Sequence, residues 1–109
     1  MFKRLHRLSR GEDIDEVFGK GRFIRGGFVS LKVKKTEFDY ARLGVIAGQK
    51  ISKKATERNR AKRQLREAAR PHIKEMKGVD VMLLPTADIL GRTFREVKEE
   101  VERLFKKIQ

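Results

Sequence analysis

The 109-residue chain has no cysteine and no tryptophan, one tyrosine, two prolines and two histidines. Without cysteine there is no disulfide frame and no thiolate metal site, which fits a reducing compartment. His6 and His72 lie far apart and belong to no metal-ligand spacing. His72 reads as a boundary histidine beside an apolar stripe. No Ser-His-Asp or Cys-His set can be composed, so nucleophilic catalysis has no candidate. No apolar run approaches the length of a membrane span. Met1 to Arg10 carries the charge of a signal peptide without its apolar centre, so a cytoplasmic protein is expected. Asn occurs once and Gln three times, a scarcity typical of heat-adapted chains. No repeat, linker or low-complexity segment divides the chain. A single domain is expected over 1–109, with 1–8 as a mobile basic arm.

What is abundant is positive charge. Lys and Arg number 28 against 15 Asp and Glu, for a net charge of +13. That excess calls for a polyanionic partner: RNA, DNA or an anionic membrane. The apolar share of 39% is enough for a modest core and argues against a disordered basic tail.

The charge is concentrated in one stretch, Lys53 to Arg70, which has neither Gly nor Pro inside it and is rich in helix formers. On a helical wheel Ala61, Leu65, Ala68 and Ala69 form a narrow apolar stripe. Arg58, Asn59, Lys62, Arg63, Arg66 and Arg70 form a second stripe beside it. Glu57, Arg60, Gln64 and Glu67 take the remaining surface. Basic residues on a helix are usually a solvated face. Here the basic stripe has few acidic partners, and small apolar residues hold its backbone close to the core. Asn59, a poor helix former, offers a donor and an acceptor within the row. Upstream, Lys50, Lys53 and Lys54 stand at the mouth of the helix, where unpaired N–H groups suit a phosphate. The Gly spacing of a nucleotide-binding loop is absent.

The rest of the chain supplies a frame. Ser9 to Glu12 reads as a capping box opening a short helix, with Ile14, Val17 and Phe18 on one face and Gly19 and Gly21 ending it. Asp13, Asp15 and Glu16 favour the positive end of that helix rather than a metal. Phe18 reads either as core or as a half-exposed ring on which a base stacks. Phe23-Ile24 predicts a short strand, Gly26-Gly27 a bend, and Val29, Leu31 and Val33 alternate with polar residues in a longer strand. Arg42 to Ala47 predicts a third strand, antiparallel to the second. Pro71 is expected to break or kink the basic helix, leaving His72 to Met76 as a loose turn. Val79 to Leu84 predicts a buried strand closed by Pro85. Thr93 to Lys107 predicts an amphipathic helix that packs Phe94, Val97, Val101, Leu104, Phe105 and Ile108 on the sheet. The fold class is α/β (α+β): a two-layer sandwich with one mixed, mainly antiparallel sheet and three helices in the order α-β-β-β-α-β-α.

Arg58-Asn59-Arg60, followed by Ala61-Lys62-Arg63-Gln64-Leu65-Arg66-Glu67, resembles the signature of the bacterial ribonuclease P protein subunit. Leu43-Gly44-Val45 and Lys50 through Ala55 match that family's lead-in to its helix. Val17-Phe18-Gly19-Lys20-Gly21 and Val79 to Leu84 match in order, so the resemblance spans the chain. It implies a left-handed β-α-β crossover, where generic rules give a right-handed one, and kinship with ribosomal-protein and translocase folds. It implies a protein that binds ribonuclease P RNA and the 5′ leader of precursor tRNA. The RNA subunit and its magnesium ions would cut the leader away. The protein itself would hold no metal and no catalytic residue, and neither a membrane nor a protein partner is implied. By role, Arg58, Asn59, Arg60, Lys62, Arg63, Arg66, Arg70, Lys50, Lys53 and Lys54 would contact RNA. Phe18, Ile14, Leu31 and Phe28 would line the leader cleft. Ile14 and Leu31 stand where family members can carry aromatic residues, which implies fewer stacked bases and more reliance on charge.

Two other classes stay open from the residues alone: a ribosomal-type or general RNA-binding protein, and a free-standing nuclease. A DNA-binding helix motif is weaker, because no helix precedes the basic one at the required short turn. The charge makes one quantitative expectation. With about five to eight phosphates contacted, log K for RNA should fall against log salt with a slope of roughly −4 to −7. A slope near zero in a filter-binding titration would remove the electrostatic contribution.

Overall fold

A computed structural model describes residues 6–8 and 11–108. Residues 1–5 of the expected arm and Ser9 of the expected capping box lie outside them. The end of that arm is built into the fold. The ring Nδ1 of His6 donates to the Ala41 carbonyl at 2.8 Å, and the Leu8 amide donates to Leu43 at 2.9 Å. Leu8 is buried.

Helix α1 spans Gly11–Lys20, β1 Arg22–Ile24, β2 Val29–Lys35, β3 Arg42–Val45, α2 Ala55–Glu75, β4 Val79–Pro85 and α3 Phe94–Lys106. A 3-10 turn over Ala87–Gly91, unforeseen in the sequence, precedes α3. The element order is the expected one. The sheet runs β1-β2-β4-β3, with β1-β2 and β2-β4 antiparallel and β3-β4 parallel. Strand β3 is thus antiparallel in sense to β2 but is not its neighbour, because β4 lies between them. Only β4 is apolar on both faces along most of its length, so the sheet centre is its favourable place.

Helices α2 and α3 pack on one face of the sheet and enclose the main core, which includes Leu31, Leu65, Ile73, Val81, Leu83, Val101 and Leu104. Helix α1 packs on the other face, where Val17 meets Leu8 and Met82, with Ile14 against them. Gly44 lets this second layer approach: a Cβ there would lie 2.5 Å from the Met82 sulfur and 2.9 Å from the Leu8 carbonyl oxygen.

Two expectations fail along the helices. Pro71 does not end α2, which continues to Glu75. Pro71 is exposed, so the Glu67 carbonyl it leaves without a helical donor is on the wet side. Buried Ile73 meanwhile holds the last turn down, and the Met76 amide caps it by donating to His72 and Ile73. In α3, Val97, Val101, Leu104 and Phe105 are buried as expected and Ile108 is partly buried. Phe94 is exposed instead, with the Lys98 ammonium 5.7 Å from its ring centre. As the first residue of α3 it precedes the turn at which Val97 reaches the core.

A buried carboxylate ties α3 to the β1-β2 connection. Glu100 accepts from the backbone amides of Gly27 and Phe28, the latter at 3.0 Å, and from Arg103 at 2.9 Å. Gly26 and Gly27 leave room for this: a Cβ on Gly27 would lie 3.0 Å from the carboxylate oxygen. Burial pushes the Glu100 carboxyl up, but the bonds from Arg103 and the two amides outweigh it and hold its pKa below the usual 4.5. A lowered folded value means stability that is complete above the unfolded pKa and lost as pH falls through the folded one. Glu100→Gln should therefore cost about 1.5–3 kcal/mol at neutral pH. In urea unfolding its deficit should shrink below pH 4.5. A deficit independent of pH would show that the charge is not what holds the turn.

Candidate nucleic-acid interface

Helix α2 presents the two stripes its sequence implies. Ala61, Leu65, Ala68 and Ala69 are buried, with Ile73 beyond them. Asn59, Arg60, Arg63 and Arg66 are exposed, and Arg58, Lys62 and Arg70 are half-buried along the edge of the core. Among the described residues, only Arg70 of this set has a carboxylate within 4.0 Å, Glu67 at 3.8 Å. The others have no carboxylate within that distance among the described residues.

The loop before α2 is ordered by its own side chains. The Ser52 hydroxyl donates to Glu57 and accepts from the Lys54 amide at 3.0 Å. Arg58 donates to the Ser52 carbonyl at 3.0 Å, so this arginine is also a strut and not only a surface cation. Lys54 is the N-cap residue and supplies no side-chain cap. Lys50, Lys53 and Lys54 are exposed around that end.

The second part of the site is the sheet face that carries α1. Strand pairing sorts its residues into three rows. Lys34, Asp80 and Arg42 form one; Phe23, Lys32, Met82 and Gly44 the next; Ser30 and Leu84 the third, with Ile46 following β3 beside them. The first row is closed by charge. Arg42 grips Asp80 at 2.8 and 2.6 Å and reaches Asp13 of α1 at 3.1 Å. The hydrogen bonds to Asp80, helped by both carboxylate charges, raise the Arg42 pKa well above its ordinary value despite burial. So Asp13 serves an ion pair with the sheet, and Glu16 lies 3.3 Å from Lys20 and 3.9 Å from Lys34, rather than both merely favouring the helix end. In the third row Ile46 is exposed and Ser30 and Leu84 are half-buried. Ile46 and Leu84 line a cavity of about 220 Å³ together with Lys50 and Ile51 of the loop that precedes α2.

Phe18 sits at the wall of this face. It is half-buried and belongs to neither buried cluster. The Lys32 ammonium donates to its carbonyl at 2.7 Å and stands 5.4 Å from its ring centre. Ile14 is half-buried against the α1 seat. Leu31 and Phe28, expected in the cleft, are corrected here. Leu31 is fully buried and Phe28 nearly so, both within the main core. The reason is parity: Val29, Leu31 and Val33 point to α2 and α3, while Ser30, Lys32 and Lys34 point to α1. Phe28 packs at the turn, with Arg92 4.9 Å from its ring centre. The same parity rule identifies Lys32 and Ser30 as face residues, a signal present in the alternation of β2.

A larger cavity, about 750 Å³, lies elsewhere, rimmed by Lys20, Arg22, Lys34 and Lys35. Its cations are largely engaged, by Glu16 as above and by the Ile108 carbonyl, which accepts from Arg22 at 2.6 Å. Among the described residues no three His, Asp or Glu side chains are grouped to hold a metal ion, and no helix is long and apolar enough to cross a membrane.

An unneutralised basic helix beside an open sheet face narrows the class to polyanion binders, and the relatives decide among them. Residues 2–109 match the ribonuclease P family. The chain belongs to the bacterial ribonuclease P protein family. The ribonuclease P protein component of Pseudanabaena is 32% identical over 109 residues, covering 98% of this chain and 94% of that one. The ribonuclease P protein of Thermotoga maritima, solved with 1-(4-fluorophenyl)-2-thiourea, is 30% identical with a TM-score of 0.85, covering 94% of this chain and all (100%) of that one. The Staphylococcus aureus protein matches in fold, with a TM-score of 0.86 at 21% identity over 95% of each chain. Ribonuclease P proteins are components of an endoribonuclease that processes tRNA, and membership implies a ribonuclease P RNA as partner.

The strut role of Arg58 separates it from its neighbours in the row. Arg58→Ala should lose about 1 kcal/mol of stability with its bond to Ser52. Arg63→Ala, exposed and unpaired, should change stability by less than about 0.5 kcal/mol. Thermal unfolding followed by circular dichroism checks both; equal midpoints would show that the Ser52 contact holds nothing.

Proposed function

We propose that the basic row of α2 and the loop before it grip the catalytic RNA. In this reading the open sheet face beside α1 receives the single-stranded 5′ leader of precursor tRNA. The observation that supports it is the cavity that joins Leu84 and Ile46 of this face to Lys50 and Ile51 of the loop leading into α2. Arg58, Arg60, Lys62, Arg63, Arg66 and Arg70 contribute positive charge where two polyanions must approach. Lys50, Lys53 and Lys54 hold phosphates beside the uncapped helix start. Asn59 adds a directional hydrogen bond. Phe18 stacks a leader base, with Lys32 beside it for the phosphate.

In this reading magnesium is bound through the RNA and the substrate; among the described residues no three His, Asp or Glu side chains are grouped to hold it. There it supplies charge neutralisation and an activated water for phosphodiester hydrolysis. The protein's part is to lower the magnesium needed, by screening repulsion, and to favour precursor over mature tRNA. The setting proposed is the cytoplasm.

The test is reconstitution of the protein with a bacterial ribonuclease P RNA and a precursor tRNA at limiting magnesium. Cleavage is expected only with all three. Arg63→Ala and Arg66→Ala should raise the magnesium required and leave the cut site unchanged. Asn59→Ala should lose about 1 kcal/mol that persists at high salt. Phe18→Ala should weaken precursor binding by about 1–3 kcal/mol and leave mature tRNA binding alone. RNA binding with no effect on precursor cleavage would instead make the chain a general RNA-binding protein.

A further inference from the structure

The expectation of fewer stacked bases came from aliphatic residues at Ile14 and Leu31. The structure shows where an aromatic ring stands instead. Phe23 lies on β1, directly opposite Lys32 in the antiparallel register. Its neighbour Ile24 is opposite Leu31 and buried with it in the main core, so Phe23 faces the other way, onto the sheet face that carries α1. The ring is 53% exposed, the most exposed large hydrophobic side chain among the described residues. Edge strands are ordinarily blunted with charge, and an uncovered ring there exposes apolar area that folding alone would remove. Arg22 and Arg25 stand on either side of the Phe23–Ile24 pair, both exposed.

Lys32 connects this ring to Phe18. Directly opposed residues of an antiparallel pair have Cβ atoms about 5 Å apart, so the Lys32 stem rises beside Phe23 and its ammonium ends near the Phe18 ring, 5.4 Å from its centre. One of the three ammonium hydrogens is used by the Phe18 carbonyl. Two remain for an anion between the rings. The order is aromatic, cation, aromatic, which is the chemistry of two successive unpaired nucleotides: a base on each ring and a phosphate between.

We infer that Phe23 is a second base-stacking residue of the leader site, forming with Lys32 and Phe18 a two-nucleotide platform. It rests on the reading of this face as the leader site. The stacking capacity absent from α1 and β2 is supplied from the edge strand.

The test uses the reconstituted holoenzyme, without cleavage, in calcium. Its probes are mature tRNA and precursors carrying a single abasic nucleotide at each leader position in turn. Phe23→Leu keeps an apolar edge and removes the ring; Phe23→Trp keeps a ring. Phe23→Leu should weaken binding of the intact precursor roughly tenfold, leave mature tRNA unchanged, and lose its effect on one abasic precursor. That position should differ from the one coupled to Phe18→Ala. Phe23→Trp should bind the intact precursor like the parent. Parental affinity of Phe23→Leu on every precursor overturns the inference. If Phe18→Ala weakens precursor binding and spares mature tRNA, the leader reading survives; if it does neither, that reading fails with it. An equal loss on mature tRNA also overturns the inference, as does a Phe23→Leu effect confined to the sedimentation of the free protein, which would mean that a second copy covers the ring.

Discussion

Strand β4 must be covered on both faces, and the architecture follows from that requirement. Val79, Val81 and Leu83 are buried toward α2 and α3, while Asp80 and Met82 are buried toward α1. A strand with this pattern is stable only in the centre of a sheet with a layer on each side. The first layer is complete, two helices of 21 and 13 residues. The second is one helix of 10 residues, long enough to cover Met82 and to place Asp13 on Arg42, but not to cover Ser30, Leu84 and Ile46. The candidate interface is the remainder of a face that α1 covers in part.

Charge is distributed with the same asymmetry. The acids of α1 and α3 lie beside local bases: Glu16 with Lys20, Glu96 with Arg92, Glu99 with Arg95, Glu100 with Arg103 and Glu102 with Lys106. Apart from the buried Glu100, these exposed pairs add little stability. Their effect is to offset charge on α1 and α3, so that the net +13 rests mainly on two stretches, the β1-β2 segment and α2 with its entry loop. A field concentrated in that way speeds encounter with a polyanion and orients it on arrival.

The helices and their faces were legible because their signals are local. The Ala61–Leu65–Ala68–Ala69 stripe and the α3 stripe are set by spacing within one segment. Strand order was not legible, because the choice of β4 over β3 as partner of β2 depends on residues some fifty positions apart. Pro71 was misread because a rule about one missing hydrogen bond was outweighed by the burial of Ile73 two residues later. Leu31 and Phe28 were misassigned to the cleft because a family position is not a direction. Phe23 is legible from the sequence only as a strand residue; its outward face follows once the register shows Ile24 paired with buried Leu31. Arg58 read as one cation among several, since its bond to Ser52 depends on the fold of the entry loop.

The two buried clusters lie on opposite sides of one sheet and share only its backbone. Val17, Leu8 and Met82 seat α1, while a separate set of more than twenty residues holds α2 and α3. Side chains that do not touch one another contribute nearly independently to stability, and methionine adapts its shape at little cost. Selection can therefore tilt α1, and so widen or narrow the groove beside it, by altering Ile14 or Met82 without repacking the larger core. The scaffold that carries the basic helix and the helix that walls the open sheet face can diverge at separate rates.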